Sequence, residues 1–174
     1  FSKVGDSITA ADFFLNPVGQ GDYDLGIHGE LAAVVEHFMT TTARTGNSFA
    51  NQSLAAYPGW TTVSVLTPGL AADGIGAGIC LPGETPLACE FRVVRPAVAL
   101  IMLGTNDVHA VSIPEYRANL ARIVEISIDR GVIPVLSTIP DQLNARGGAV
   151  AFYNQAIIDT ARAYRVPLWD YWGA

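Results

Sequence analysis

The sequence predicts an α/β fold, a three-layer α/β/α sandwich around a mainly parallel sheet of five strands, formed by one domain over residues 1–174. Short apolar segments alternate along the chain with longer segments whose apolar residues recur at helical spacing. One apolar segment, Pro96 to Leu103, is almost uninterrupted. A strand that is apolar on both faces is typical of a parallel sheet covered by helices on both sides. Alternation of strand and helix then implies right-handed crossover connections.

The first third of the chain supplies two predicted strands and two predicted helices. Phe1 to Val4 is a short strand that leads into a glycine turn. Leu25 to Met39 has helical spacing of apolar residues and is predicted as the first long helix. Ser48 to Ala56 is predicted as the second strand. A turn at Tyr57 to Thr61 and a short helix at Thr62 to Leu66 follow.

Residues 67–92 are rich in glycine and proline and are predicted as a long loop or insertion that shapes a binding site. Cys80 and Cys89 bracket a proline-containing segment that can bring its ends together, so we expect a disulfide. The alternative is two reduced, partly buried thiols in a cytosolic protein, since their spacing matches no metal or redox motif. A bridge would place the protein in an oxidising compartment, secreted or otherwise extracytoplasmic.

The second half continues the alternation after the apolar strand. A helix is predicted from Pro114 to Arg130, and Gly131 ends it. Val132 to Leu136 is the fourth strand, Ala149 to Tyr164 an amphipathic helix, and Val166 to Trp169 the fifth strand. The resulting sheet is flavodoxin-like.

Composition excludes several classes of protein. Half of the residues are hydrophobic and 15% are charged, which is typical of a compact globular fold and argues against disorder. The net charge of −6 and the pI of about 4.8 disfavour tight binding to nucleic acid or to an anionic membrane, and favour a neutral or cationic ligand. No apolar stretch reaches the roughly 18 residues of a membrane span. No pattern implies a metal or an organic cofactor.

Three polar groups are predicted to meet at the carboxyl edge of the sheet. Ser7 follows the first strand, and Asn106 follows the long apolar strand. Ligands of such sheets bind beyond the carboxyl ends of the strands. A serine in this position can act as a nucleophile and can present its own backbone N–H to an oxyanion. The backbone N–H of Gly59 and the side-chain amide of Asn106 would be two further donors.

With these residues the chain resembles the SGNH/GDSL hydrolases, a family of serine esterases, lipases and carbohydrate acyl hydrolases. The resemblance implies that Ser7 is the nucleophile and that the Ser7 N–H, the Gly59 N–H and the Asn106 side chain form the oxyanion hole. It covers nearly the whole length in the same order. The similar blocks are KVGDSIT at residues 3–9, YPGWT at 57–61 and LGTND at 103–107.

The chain departs from the family pattern in one respect. The family's fourth block is an Asp-x-x-His in which histidine is the general base, and these 174 residues contain no such sequence. Because the chain begins at Phe1 and ends at Ala174 just after a predicted strand, we expect a cut upstream of that block. Losing a positioned base commonly costs about 10² to 10⁴ in rate, so this piece is expected to be weak or inactive. His109, three residues past Asn106, is either a substrate contact, a replacement base or an exposed loop residue.

Three functions remain from the sequence. The first is an esterase that cleaves acyl or acetyl esters of carbohydrates or small molecules through an acyl-enzyme on Ser7. The second is a catalytically inactive domain that binds an acylated glycan or a protein partner in the same pocket. The third, a flavodoxin-like nucleotide binder, is disfavoured because Gly74 to Gly78 lacks the lysine of a phosphate loop. The sequence leaves the ester and the oligomeric state open.

Overall fold

The computed structural model describes residues 1–71, 73–142 and 148–174. Its sheet has four parallel strands in the order β1-β2-β3-β4. A 3₁₀ turn covers Gly29–Leu31, and the other elements are β1 (Ser2–Gly5), α1 (Ser7–Ala10), α2 (Asn16–Gly19), α3 (Ala32–Thr40), α4 (Thr62–Leu66), α5 (Pro86–Val94), β2 (Val98–Met102), α6 (Asp107–Ala110), α7 (Ile113–Asp129), β3 (Ile133–Ser137), α8 (Ala149–Tyr164) and β4 (Leu168–Trp169).

The two faces of the sheet differ in how fully they are covered. Val4, Ile101 and Leu136 are aligned across three strands and are completely or almost completely buried. Helices α5 and α7 pack on β1 and β3, and α8 packs against α7. On the other face, Val98 and Leu100 are half-buried and line an apolar groove together with residues of α3. The strands are therefore apolar on both sides, as the sequence predicts for a parallel sheet.

The predicted strand at Ser48 to Ala56 is wrong. Only Ala56 forms a bridge to β1, through the Gly5 N–H to the Ala55 carbonyl (3.0 Å) and the Tyr57 N–H to the Gly5 carbonyl (3.2 Å). Upstream, the Asn47 side chain accepts a hydrogen bond from the Ala50 N–H (3.0 Å), and Asn51 accepts one from Thr45. Asparagine side chains that bond nearby backbone groups favour turns over a strand ladder. The described sheet accordingly has four strands and not five.

Part of the predicted loop at 67–92 is helical. Its residues up to 85 form turns, apart from Ala72, which lies outside the described residues. Helix α5 then begins at Pro86, where the Thr85 hydroxyl accepts a hydrogen bond from the Ala88 N–H (3.1 Å). A capping threonine followed by proline is a helix start signal that the loop prediction overlooked.

Other local predictions agree with the structure. The apolar strand lies at Val98–Met102, and α7 ends just before Gly131, whose φ of 72° is accessible to glycine without steric cost. Helix α8 has the predicted bounds, whereas α3 begins at Ala32, later than the predicted helix start at Leu25. In the described ranges no helix is long and apolar enough to cross a membrane.

Cys80 and Cys89 form a disulfide, with their Cα atoms 5.4 Å apart. The bridge ties the turns after α4 to helix α5, as expected for the first of the two alternatives. Glu84 lies close to both sulfurs. Because the two sulfurs are bonded to each other, they are not available as thiolate ligands for a metal.

Candidate active site

Three chain segments leave the sheet at the same edge. In the register of β1 and β2, Gly5 is paired with Met102, and the bridge from Gly5 to Ala56 adds a third segment on the other side of β1. Ser7 lies two residues beyond Gly5. Asn106 and Gly59 follow the two neighbouring segments at similar distances along the chain. The carboxyl edge of the sheet therefore holds all three predicted segments together, as expected for a ligand site in this fold class.

Ser7 is held at the first position of α1, with an exposed side chain. The preceding Asp6 is fully buried, and its Oδ1 accepts a hydrogen bond from the Ile8 N–H (3.0 Å). Burial raises the pKa of Asp6, while the Ile8 N–H and the nearby Thr105 hydroxyl act in the opposite direction. Asp6 thus fixes the turn that presents Ser7 to solvent.

Gly5 is required by close packing. A Cβ at this position would come within 2.1 Å of the Thr9 hydroxyl and 2.6 Å of the Met102 carbonyl oxygen. Those distances are far below van der Waals contact, so any other residue would push α1 away from β2. Gly5, the glycine of the Gly5-Asp6-Ser7 sequence, therefore allows Ser7 to lie close to the segment that carries Asn106.

The side chain of Asn106 is hydrogen-bonded to the glycine segment, residues 57–61 around Gly59. Its Nδ2 donates a hydrogen bond to the Trp60 carbonyl oxygen over 2.9 Å. Because a carbonyl oxygen only accepts, this contact also fixes which end of the amide faces Trp60. The same nitrogen carries a second hydrogen, which remains available for another acceptor.

Gly59 occupies the left-handed region, with φ of 83°. The turn around it is closed by the Trp60 N–H, which donates to the Tyr57 carbonyl (3.2 Å). A Cβ at Gly59 would meet no atom within 4 Å, so the requirement for glycine here is one of backbone conformation and not of space. The exposed backbone at this turn is accessible to a ligand.

A buried network behind the site was not found from the sequence. Asp107 is fully buried and accepts hydrogen bonds from the Thr62 N–H (2.9 Å) and the Thr62 hydroxyl (2.5 Å). Asn119 of α7 donates to the same hydroxyl over 3.2 Å. Burial raises the pKa of Asp107, and the Thr62 donors oppose that rise. The network joins the residue after Asn106 to the start of α4, just beyond Gly59 and Trp60.

The sequence does contain the residues of this network, but their pattern has more than one interpretation. Thr61 and Thr62 follow the glycine turn directly, and an aspartate follows Asn106 directly. An aspartate at a helix start is most simply interpreted as a cap. Its partner lies 45 positions away along the chain, and a single sequence does not reveal such a pairing.

The histidines are all exposed. The His109 Nε2 lies 2.9 Å from the Gln142 Oε1, and the Gln142 Nε2 donates to the Thr105 carbonyl (2.7 Å). His109 is thereby held next to the segment that leads to Asn106. Among the described residues no hydrogen bond joins His109 to Ser7. His28 contacts Glu30 (3.3 Å), and His37 packs edge-on against a phenylalanine of its own helix.

The glycine-rich stretch at Gly74 to Gly78 lies in successive turns before Cys80. It is not placed between a strand and a helix, which is the setting that a phosphate-binding loop requires. The nucleotide-binding alternative therefore gains no support from the structure.

Sequence comparison decides the family. The GDSL-like Lipase/Acylhydrolase family matches residues 4–174 of the chain, which include all three segments of the site edge. The chain belongs to the GDSL-like lipase/acylhydrolase family. This confirms the resemblance drawn from residues 3–9, 57–61 and 103–107. The description of the family names lipases and acylhydrolases. No curated protein sequence matches the chain.

Solved structures with the same fold include several esterases of low identity. The psychrotrophic esterase EstA from Pseudoalteromonas sp. is 16% identical with a TM-score of 0.57, over 97% of this chain and 75% of that one. A lipase/acylhydrolase from Enterococcus faecalis is 16% identical with a TM-score of 0.60, over 99% and 77%. A variant of an acetyl xylan esterase from Geobacillus stearothermophilus is 18% identical with a TM-score of 0.57, over 98% and 75%. At these identities the comparison shows the shared α/β fold.

Proposed function

We propose that this domain is a serine hydrolase that cleaves carboxylic esters through an acyl-enzyme on Ser7. The observation that carries the proposal is the register at the sheet edge, where Gly5 is paired with Met102 and bridged to Ala56. It sets Ser7 between the two segments that supply the other proposed polar groups. Membership of a family of lipases and acylhydrolases supports the same chemistry.

The reaction would proceed in two steps. The Ser7 hydroxyl oxygen attacks the ester carbonyl carbon, its proton passes to a base, and the alcohol leaves after protonation. Water then attacks the acyl-enzyme and releases the carboxylic acid. In both steps the oxyanion would receive hydrogen bonds from the backbone N–H groups of Ser7 and Gly59 and from the second N–H of Asn106. These steps need no metal and no organic cofactor.

The general base is the open part of the mechanism. The 174 residues contain no Asp-x-x-His, and His109 is the histidine placed nearest in sequence to a proposed site residue. Because the Gln142 Oε1 only accepts, the His109 Nε2 is the donor in that contact, and the Nδ1 is the ring nitrogen that would take a proton from Ser7. We therefore assign the base role to His109 only as the candidate to test within this chain.

A second candidate function is consistent with these 174 residues, which themselves contain no Asp-x-x-His. In this case the domain is catalytically inactive and uses the same site to bind an acylated glycan or a protein partner. Both candidates fit a secreted or extracytoplasmic protein, since the Cys80–Cys89 disulfide is stable in an oxidising compartment.

A fluorophosphonate probe separates the two candidates when it is applied to the full polypeptide that the gene encodes, since these 174 residues by themselves contain no Asp-x-x-His base. Such a probe phosphonylates a serine only when that serine is activated as a nucleophile. We expect labelling that Ser7→Ala abolishes and that Ser112→Ala, a change at an exposed serine just before α7 and outside the three site segments, leaves intact. Absence of labelling at Ser7 would favour the binding domain and contradict the hydrolase.

A further inference from the structure

Two neighbouring contacts join the segment after β2 to the segment around Gly59. In the first, the Asn106 Nδ2 donates to the Trp60 carbonyl (2.9 Å). In the second, one residue further along, the Asp107 Oδ1 accepts hydrogen bonds from the N–H (2.9 Å) and the hydroxyl (2.5 Å) of Thr62. One hydrogen bond would let the two segments pivot about it. Two contacts side by side fix both their separation and their relative orientation.

The Asp107 carboxylate is directed entirely at the start of α4. Its Oδ2 also lies 3.2 Å from the Thr62 N–H, and both residues are 0% exposed. The first N–H groups of a helix have no partner inside the helix, and Asp107 supplies one from another segment of the chain. Because Thr62 lies three residues after Gly59, this contact holds the backbone that follows the Gly59 turn.

Helix α7 holds both segments from behind. The Asn119 Nδ2 donates to the Thr62 hydroxyl (3.2 Å), whose single hydrogen is directed to Asp107. One turn earlier on the same helix, the buried Tyr116 hydroxyl donates to the Leu103 carbonyl (2.8 Å), just after β2. The two segments are therefore fixed to one helix of 17 residues as well as to each other.

The groups that these contacts leave free are two of the proposed oxyanion donors. The second N–H of the Asn106 amide donates to no protein acceptor among the described residues. The N–H of the exposed Gly59 makes no backbone hydrogen bond in the same ranges. Donors of this kind are effective when they are held within about 0.5 Å of the productive geometry by residues that are themselves fixed by hydrogen bonds.

We propose that Asp107 is a positioning residue for ester hydrolysis. Through Thr62 it holds the Gly59 N–H at a fixed distance from the Asn106 amide, so that both groups reach the same oxyanion. The proposal rests on the hydrolase function proposed above. Asp107 is fully buried and acts only through its neighbours, without contact to the substrate. The alternative is a purely structural role, in which Asp107 stabilises the start of α4 and has no effect on the rate.

The first test is kinetic and uses the full polypeptide that the gene encodes. Thr62→Val has nearly the same shape and removes the hydroxyl that Asp107 and Asn119 contact. We expect kcat for para-nitrophenyl acetate to fall roughly tenfold to a hundredfold, the cost of a small displacement of groups around the reacting atoms. Because the oxyanion forms only in the transition state, kcat/KM should fall by the same factor. Thr62→Ser keeps the hydroxyl and should retain most of the rate.

A matched control removes a buried hydroxyl elsewhere. Thr160→Val deletes a hydroxyl of α8 that donates to the Ala156 carbonyl (2.8 Å), away from the three site segments. It should lower the melting temperature and leave kcat unchanged. If Thr62→Val behaves in the same way as this control, the role of Asp107 is structural and the proposal is overturned.

A double substitution tests whether Asp107 acts through Thr62. Asp107→Ala removes the whole contact and should lower kcat at least as far as Thr62→Val does. Since the two residues act through one contact, the combined substitution should lower kcat no further than Asp107→Ala alone. Losses that multiply would show two independent roles and would contradict the proposal.

An NMR measurement separates this proposal from the hydrolase function. Chemical shifts and ¹⁵N order parameters are measured for the Gly59 N–H and the Asn106 side-chain amide, with and without Thr62→Val. A shift of both signals, and a fall of the Gly59 order parameter from about 0.85 toward about 0.6, would support the positioning role. The same result in a polypeptide that hydrolyses no ester would refute the hydrolase alone. Unchanged signals at both groups would overturn the positioning role.

Discussion

Asn106 is proposed to have two separate hydrogen-bonding roles, and Asn106→Ala should reveal them as two different energies. One N–H of its amide donates to the Trp60 carbonyl over 2.9 Å, at a partly buried position. Loss of a neutral hydrogen bond of this kind should lower the free energy of unfolding by about 0.5 to 1.5 kcal/mol. The second N–H is the proposed oxyanion donor. Its loss should raise the activation barrier by about 2.7 to 4 kcal/mol, which is roughly 10² to 10³ in kcat.

The assay measures both quantities on the same variants. Urea unfolding gives the change in stability, and hydrolysis of para-nitrophenyl acetate gives the change in kcat. Asn47→Ala is a control away from the site: the Asn47 Nδ2 also donates to a backbone carbonyl, that of Gly19 (2.8 Å), and its Oδ1 in addition accepts from the Ala50 N–H (3.0 Å), so its loss of stability should be the larger of the two. It should lose stability and keep kcat.

The reasoning would be refuted by a specific pattern. If Asn106→Ala lowers kcat less than about fivefold while stability falls by about 1 kcal/mol, Asn106 only clamps the glycine segment. The oxyanion role would then have to be removed from the mechanism.

Three further predictions concern Ser7, the disulfide and pH. In the full polypeptide that the gene encodes, Ser7→Ala should abolish ester hydrolysis and leave the melting temperature unchanged, because the side chain is exposed. Hydrolysis near the rate of the unsubstituted protein would exclude Ser7 as nucleophile. Replacing Cys80 and Cys89 by serine opens a loop of sequence separation 9, so urea unfolding should show a loss of about 2 to 3 kcal/mol, and an unchanged midpoint would contradict this. Burial raises the pKa of Asp6, Glu90 and Asp107, so the folded state binds protons at these carboxyl groups more tightly than the unfolded chain does. The free energy of unfolding should therefore rise as pH falls from neutral toward 4.5, the ordinary pKa of glutamate. Glu90→Gln should make this rise smaller when unfolding is measured over a series of pH values.

The parts of the fold that were predictable are those in which local pattern and burial agree. The strand at Val98–Met102 is apolar throughout, and α8 has helical spacing over all its length, so each is specified by its own residues. Gly131 marks the end of α7 because glycine readily adopts its positive φ.

The failures have an equally physical origin. The segment Ser48 to Ala56 contains enough apolar residues to suggest a strand, yet the asparagines at positions 47 and 51 bond nearby backbone groups and hold it in turns. Helix α5 was not predicted because its N-cap residue, Thr85, lies within a stretch dominated by glycine and proline, which favoured the prediction of a loop. Local side-chain hydrogen bonds decided both cases.

The candidate site was predictable only as a set of positions. The order of the three motifs predicts that Ser7, Gly59 and Asn106 lie at one edge of the sheet, and the strand register is consistent with that placement. The contact of Asn106 with Trp60 and the pairing of Asp107 with Thr62 join residues about 45 positions apart. Pairings at such separation depend on the three-dimensional path of the chain, which one sequence does not reveal.

The acyl-enzyme itself provides the most direct test of the central claim. The full polypeptide that the gene encodes is mixed with para-nitrophenyl acetate, quenched with acid within seconds, and analysed by intact mass and peptide mapping. The account predicts one acetyl group, located on Ser7 and absent from Ser7→Ala. Hydrolysis of the ester without an adduct on Ser7, or with an adduct on another residue that persists in Ser7→Ala, would contradict it.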